Sequence, residues 1–294
     1  MLITEQMDAL LQPSTVEGIL FSAMNPKLGM LGMFEKQNLK GKKHFAFYTD
    51  RTTAEEEILQ GILHEPAEIE EASQLPQIQV TGIQKESGNT VELGFEMEFT
   101  EEAVNDDTNL KYVERTINHA GYSMQRTLNR YAYQVLIDSA DAPTITLNDG
   151  SWKTSERIDD DVKSLQRKFH AQEGYDYTLT DMYVANESLW GAEDYYDAIR
   201  VNGFDPNNVR NSTLSGINEL ESGLIGLDKN ISPAMWYYNV HPNHNTWHDE
   251  FGSFINVNRY DQTDEKPFYT KIQMWVEFGF AVTEPRAVLF QEGV

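Results

Sequence analysis

Residues 101–139 read EEAVNDDTNLKYVERTINHAGYSMQRTLNRYAYQVLIDS. Within them Leu110, Val113, Ile117, Ala120, Met124, Leu128, Tyr131 and Val135 follow one another at steps of 3, 4, 3, 4, 4, 3 and 4, a mean close to the ~3.6 residues of an α-helical turn. The spacing predicts one amphipathic helix with a single apolar face. At ~1.5 Å per residue it measures on the order of 50 Å, longer than the core helix of a compact domain needs. Glu101, Glu102, Asp106 and Asp107 place negative charge where the helix dipole favours it, and Pro143 follows the last periodic residue. A helix of this length acts as a beam.

Just before it, Val91, Leu93, Phe95, Met97 and Phe99 alternate with Glu92, Gly94, Glu96 and Glu98. A period of two predicts a strand with one buried and one wet face. Ile78, Val80 and Ile83 read as its hairpin partner, with Glu86-Ser87-Gly88-Asn89 as the turn. Near the C-terminus Ile272, Met274, Val276, Phe278, Phe280 and Val282 repeat the alternation, and Ala287 to Phe290 form a second strand after Pro285. The longer strand is expected to pair with 91–99 and to lie beneath the helix, joining sequence-distant parts into one domain.

Past the helix, Thr144 to Leu147 reads as a short strand turning at Asn148-Asp149-Gly150, and Ile158, Val162, Leu165 and Phe169 mark a second amphipathic helix. Tyr177 to Val184 follows as a strand, then a helix from Ser188, its N-cap, to about Arg200. Residues 202–230 turn to Gly, Asn and Ser, and Ala234 to Val240 reads as a buried strand. This alternation predicts a mixed α/β subdomain. On the N-terminal side, a short helix from Thr4 to Leu11 is expected to stop before Pro13, with an irregular run after it. Residues 34–76 are charged and hold no lasting periodicity, which fits a projecting loop.

The chain of 294 residues is 40% hydrophobic, enough for a sizeable core in one large or two smaller domains. Its 47 acidic against 23 basic residues leave a net charge of -24, which repels a nucleic-acid backbone wherever cations are not clustered. Lys36, Lys40, Lys42, Lys43 and His44 make one modest cluster, which reads first as a solvated or acid-pairing loop. Sequence-specific DNA binding is not indicated. With no cysteine there is no disulfide, no thiolate metal site and no cysteine nucleophile. No basic and apolar export signal opens the chain and no stretch approaches a ~20-residue membrane span, so an intracellular product without membrane contact is expected.

Local clusters offer little chemistry. His241, His244 and His248 lie three and four residues apart, and imidazoles so spaced can converge on a metal ion, the basis of a metal-dependent hydrolase reading. Yet no Glu completes an HExxH pattern and Pro242 marks a loop. The acidic pairs Glu56 with Glu57 and Glu70 with Glu71, and the run Asp159 to Asp161, read as solvated surface in so acidic a chain. No GxSxG, Walker loop or dinucleotide fingerprint is present. No catalytic, cofactor-binding or metal residue is assigned, and no enzyme activity is expected.

The order of parts resembles the major capsid proteins of tailed bacterial or archaeal viruses with the HK97-type fold, which encapsulin compartments share. The resemblance covers nearly the whole chain. It implies an α+β fold with an N-terminal arm at 1–33, an extended loop (E-loop) at 34–76, and a peripheral domain at 77–143 and 261–294 with spine helix 101–139. An axial domain at 144–260 completes it. Asp181-Met-Tyr-Val-Ala-Asn186 ahead of the helix at 188–200 resembles the axial domain, and Glu284-Pro285-Arg286-Ala287-Val288 the return strands of the peripheral domain. Hexamers and pentamers closing an icosahedral shell around double-stranded DNA are what the resemblance implies, with an acidic lining that would not stick to it. Portal, decoration or minor capsid proteins are further implied partners, and an encapsulin-like compartment is the alternative on the same fold. A chain that starts at Met1 leaves no room for a cleaved scaffolding domain, so a separate scaffold or none is expected. The family's lysine to asparagine crosslink has no defining motif among Lys36, Lys40, Lys42 and Lys43, and no crosslink is expected.

Overall fold

The computed structural model describes residues 9–24, 30–50, 83–100, 107–153, 155, 157–172, 177–185, 188, 214–217, 223–240, 254–261 and 269–294. The long helix is there as α2, Asp107–Ser139, after α1, Pro13–Met24, and before α3, Ile158–His170. At ~1.5 Å per residue α2 runs for about 50 Å. Its side chains at Val113, Ile117, Ala120, Met124 and Leu128 are buried as the periodicity requires. Tyr131 and Val135 then leave the stripe: Tyr131 is 42% exposed and Val135 half-buried, while Ala132 and Leu136 take the buried positions. Successive steps of four carry an apolar stripe around the helix by about 40° each, so its last turns present a different face. Residues 101–106, expected as the start of the helix, lie outside the described residues.

The chain divides into two compact units. The first comprises Met1–Phe45, Gly88–Tyr133 and Met235–Phe280. Its sheet is built on β10, Tyr269–Val282, which pairs antiparallel with β4, Val91–Thr100, on one edge and with β9, Ile255–Asp261, on the other. β8, Ala234–Asn239, also neighbours β10, and β1, Glu35–Asn38, pairs parallel with β8 at the outside. The expected pairing of the two alternating strands is thus present, in register from Val91 opposite Phe278 to Thr100 opposite Tyr269. Val16, Leu20, Ala23 and Met24 of α1 are buried, and α1 comes so close to α2 that a Cβ on Gly121 would stand 3.0 Å from that of Ala23. Glycine there lets the helices approach.

Three expectations fail in the N-terminal part of the chain. Residues 13–24 are not irregular: Pro13 opens α1, because at the first helical position its missing N–H would have no partner, and the Gln12 carbonyl accepts from Thr15 and Val16 at 3.0 Å. Glu86-Ser87-Gly88-Asn89 is not a hairpin turn but part of β3, Ile83–Asn89, which runs on past Thr90 into β4 and pairs instead with β2, His44–Asp50. Gly88 is required by space, since a Cβ on it would sit 2.5 Å from the Phe45 ring. Residues 35–38, expected at the start of the projecting loop, are a sheet strand, with Leu39 N–H donating to the Tyr238 carbonyl at 2.9 Å.

The second unit holds Ala46–Ser87, Gln134–Ala234 and Ala281–Val294. Here β5, Asp181–Ala185, pairs parallel with β6, Leu214–Ile217, and antiparallel with β7, Leu224–Leu227, and β11, Val288–Gln291, pairs with β7. Ile158, Val162, Leu165 and Phe169 of α3 form one apolar core with Trp152, Leu179, Met182, Val184, Leu224 and Leu289. Among the described residues Thr144 to Leu147 has no strand partner; its backbone is held instead by the Gln291 side chain, which accepts from Ile145 N–H at 2.9 Å. The strands also divide differently from the expected domains: β8 and β9, drawn into 144–260, belong to the β10 sheet, and β11, drawn into the peripheral domain, belongs to the β5 sheet. Ser188 is described and the rest of its expected helix is not.

Candidate assembly surface

Residues facing each other across β4 and β10 share a side of the sheet. On one side Val91, Leu93, Phe95 and Met97 stand opposite Phe278, Val276, Met274 and Ile272. The four on β10 are at most 2% exposed, whereas Val91 is 38% and Phe95 42% exposed, with Leu93 and Met97 half-buried. An apolar face that forms core under β10 therefore opens to solvent at β4. β4 also ends its sheet: among the described residues no strand covers its far edge, so a row of backbone donors and acceptors lies unpaired there. The expectation of a buried inner face on 91–99 holds only at Phe99, 7% exposed. An edge strand with a half-open apolar side is a surface that another chain can cover.

The opposite side of β4 is polar. Glu96 accepts from Gln273 Nε2 and pairs with Lys271 Nζ, both at 2.7 Å, and these contacts hold its carboxyl below the usual carboxylate range. Glu92 pairs with Lys43 Nζ at 2.8 Å and raises the lysine above its ordinary value, first by that hydrogen bond. Lys43 thus fits the acid-pairing reading of the basic cluster. Lys36, on the exposed strand β1, instead reaches over the Trp236 ring, 5.1 Å from its centre, and desolvation of the ammonium lowers its pKa.

The root of the β2–β3 ribbon is fixed by two devices. Phe45 stacks on Tyr237 with ring centres 4.2 Å apart and fills the space left open by Gly88 and Gly279. Beside it the buried Glu277 accepts from Thr90 Oγ1 and, at 2.9 Å, from Asn239 Nδ2. Asn239 accepts from Gly41 N–H at 2.9 Å and donates to the Lys42 carbonyl at 2.8 Å. One carboxylate and one amide so tie the turn after β1, the β3–β4 joint and β10 together.

Other singled-out residues do not converge. His241, His244 and His248, and the pairs Glu56 with Glu57 and Glu70 with Glu71, lie outside the described residues. Asp161 corrects the solvated reading of 159–161, being fully buried: it accepts from Asn148 N–H at 3.1 Å, from Asn148 Nδ2 at 2.7 Å and from Trp152 Nε1 at 3.1 Å. These bonds shape a turn. Among the described residues no group of three His, Cys, Asp or Glu is placed to hold a metal, and no helix is long and apolar enough to cross a membrane. Sequence reading missed the opening at β4, which alternation does not encode, and a row of cations on α2, which is scattered in sequence and visible only at helical spacing.

A family model for "Phage capsid protein" matches residues 85–289, more than two thirds of the chain. The chain belongs to the phage capsid protein family. The match takes in β4, α2, α3 and β10, the elements that build both units. The fold of this capsid protein is similar to that of the virus-like particle from Pyrococcus furiosus, at a TM-score of 0.56 and 10% identity over 94% of this chain and 97% of that one. It is similar also to the capsid of cyanophage P-SCSP1u, at 0.55 and 7% identity over 89% and 86%, and to that of Myoviridae phage XM1, at 0.54 and 11% identity over 90% and 91%. No curated protein sequence matches it significantly. The α+β HK97-type fold expected from the order of parts is therefore present, and this is a major capsid protein, a structural component of the virion.

Proposed function

We propose that this capsid protein self-assembles, as hexamers and pentamers, into an icosahedral shell that encloses double-stranded DNA without reading its sequence. The observation that carries the reading is the open apolar side of β4, where Val91 and Phe95 continue a core face into solvent along an edge that none of the described strands pairs with. The occupant is a second copy of the chain. Copies repeated around a closed shell cover every such edge, which removes the aggregation hazard of leaving it bare. In this reading the first unit supplies most of the peripheral domain, and the second most of the axial domain. A portal, a separate scaffold and decoration or minor capsid proteins complete the particle, assembly takes place in the host cytoplasm, and the shell carries no enzymatic activity.

The test is the mass of the purified chain by light scattering, with negative-stain images of the same fraction. Closed shells, or hexamers and pentamers, are expected. A 33.7 kDa species at every salt and protein concentration, with scaffold supplied, overturns the proposal. Nuclease-protected DNA in native particles is the expected content; a co-purifying cargo enzyme in its place would make the shell an encapsulin-like compartment.

A further inference from the structure

The side of α2 turned away from its buried stripe carries Lys111, Arg115, His119, Tyr122, Arg126 and Arg130, at steps of 4, 4, 3, 4 and 4. All six are exposed. At 3.6 residues per turn they fall within an arc of roughly 100°, opposite Val113, Ile117, Ala120, Met124 and Leu128, and at ~1.5 Å per residue they extend for about 28 Å. No carboxylate stands in the arc: Asp107 and Glu114 are on its flank, and Asp138 lies beyond its end. Among the described residues, none of Lys111, Arg115, Arg126 and Arg130 has an ion-pair partner, and Arg115 Nε donates only to His119 Nε2, at 3.4 Å.

This arrangement runs against both the chain's composition and helix energetics. Acidic residues outnumber basic ones by 47 to 23, so an acid at one of these positions would have been the ordinary outcome. Lys111 with Arg115, and Arg126 with Arg130, are like charges one turn apart, a spacing that destabilises a helix unless an external anion is present. We propose that this face of α2 is a contact for the phosphate backbone of duplex DNA, a local cationic track on an otherwise acidic subunit. The inference rests on the reading of the protein as a shell around DNA. Arginine supplies three of the four charges, and its planar fork suits phosphate oxygens. Tyr112, 68% exposed at the margin of the arc, adds a neutral hydroxyl of the kind that positions a backbone. An acidic face of a second copy is the competing occupant, since Tyr and Arg also suit protein interfaces, but the line of four cations with no exposed aliphatic side chain among them favours phosphate. Base edges are not read by such a track, so binding is independent of sequence.

The experiment measures a fluorescent 30-base-pair duplex binding to the purified full-length chain by anisotropy, between 50 and 200 mM KCl. With four phosphates neutralised, affinity falls by about a hundredfold over that range. The R115Q/R126Q/R130Q variant, checked for native circular dichroism, is expected to lose most of the binding and to flatten the salt slope by about 2.7, three charges at ~0.9 each. The control K163Q/R167Q, on the exposed side of α3, is expected to bind as the parent does. Equal losses in both variants, or a parent chain that does not bind duplex at 50 mM KCl, overturn the proposal. So does polyglutamate competing as well as duplex while the triple variant loses self-association, which would assign the track to an acidic protein face. Shell formation is scored separately: shells without duplex binding sink this inference alone, and duplex binding without shells sinks the assembly reading alone.

Discussion

The Phe45 ring lies so close to Gly279 that a Cβ there would stand 2.3 Å from Cε1, and the same ring would meet a Cβ on Gly88 at 2.5 Å. With Tyr237 stacked at 4.2 Å, the ring has little freedom to move aside. Gly279→Ala is therefore expected to cost about 1–3 kcal/mol as an overpacked site. Phe45→Leu in the same chain should recover part of the loss. Urea denaturation of the two single variants and the double variant checks this: strictly additive effects would show that the ring and the glycine are not coupled.

Glu277 offers a second measurement at the same root. Replacing it with Ala orphans one N–H of the buried Asn239 amide, at about 1–3 kcal/mol, and leaves the Thr90 hydroxyl only its 3.3 Å contact with the Lys43 carbonyl. Glu277→Gln keeps a carbonyl oxygen in place and is expected to cost less. If Gln proves as damaging as Ala in urea melts, charge rather than hydrogen bonding holds the network.

Long periodic segments were legible because burial on one side writes itself into the sequence. The period-two runs of 91–99 and 272–282 gave strands that do pair, and Ile158, Val162, Leu165 and Phe169 marked a helix whose inner face is fully packed. Punctuation residues were less faithful. Pro13 serves equally to end one helix or to begin another, and Gly88 beside Asn89 looks like a turn although its missing side chain makes room for Phe45. Alternation also states which residues are apolar without stating what covers them. For that reason the β4 face was expected to be core, whereas in a single chain it is half open. The α2 cations were hidden by their spacing, each flanked in sequence by residues of other faces.

Asp161 separates a structural carboxylate from a catalytic one. All its partners are donors that shape residues 148–152, namely the Asn148 backbone and side-chain amides and the Trp152 indole. Asp161→Asn can keep the Asn148 bonds through its carbonyl oxygen, but its NH2 then faces the Trp152 N–H, at about 1–3 kcal/mol. A lowered melting temperature with altered Trp fluorescence is the expected result. A variant with parental stability would show that the turn does not depend on the carboxylate.

Phe95 distinguishes a fold defect from an assembly defect. Its side chain is 42% exposed on a strand edge that no described strand covers, so Phe95→Asp gives up the buried remainder of the ring and a strand-favouring residue, at about 1–2 kcal/mol within the subunit. In the assembled shell the same aspartate would be desolvated against a neighbour's apolar surface without a partner charge, which opposes association strongly. The expected outcome is a subunit with parental circular dichroism and a cooperative, modestly lowered urea midpoint that no longer forms shells by light scattering, while Glu98→Gln, on the polar side of the same strand, assembles normally. Shells of ordinary size and yield from Phe95→Asp would move the contact between copies away from the β4 edge, and the reason for its open apolar face would then have to be sought in another partner.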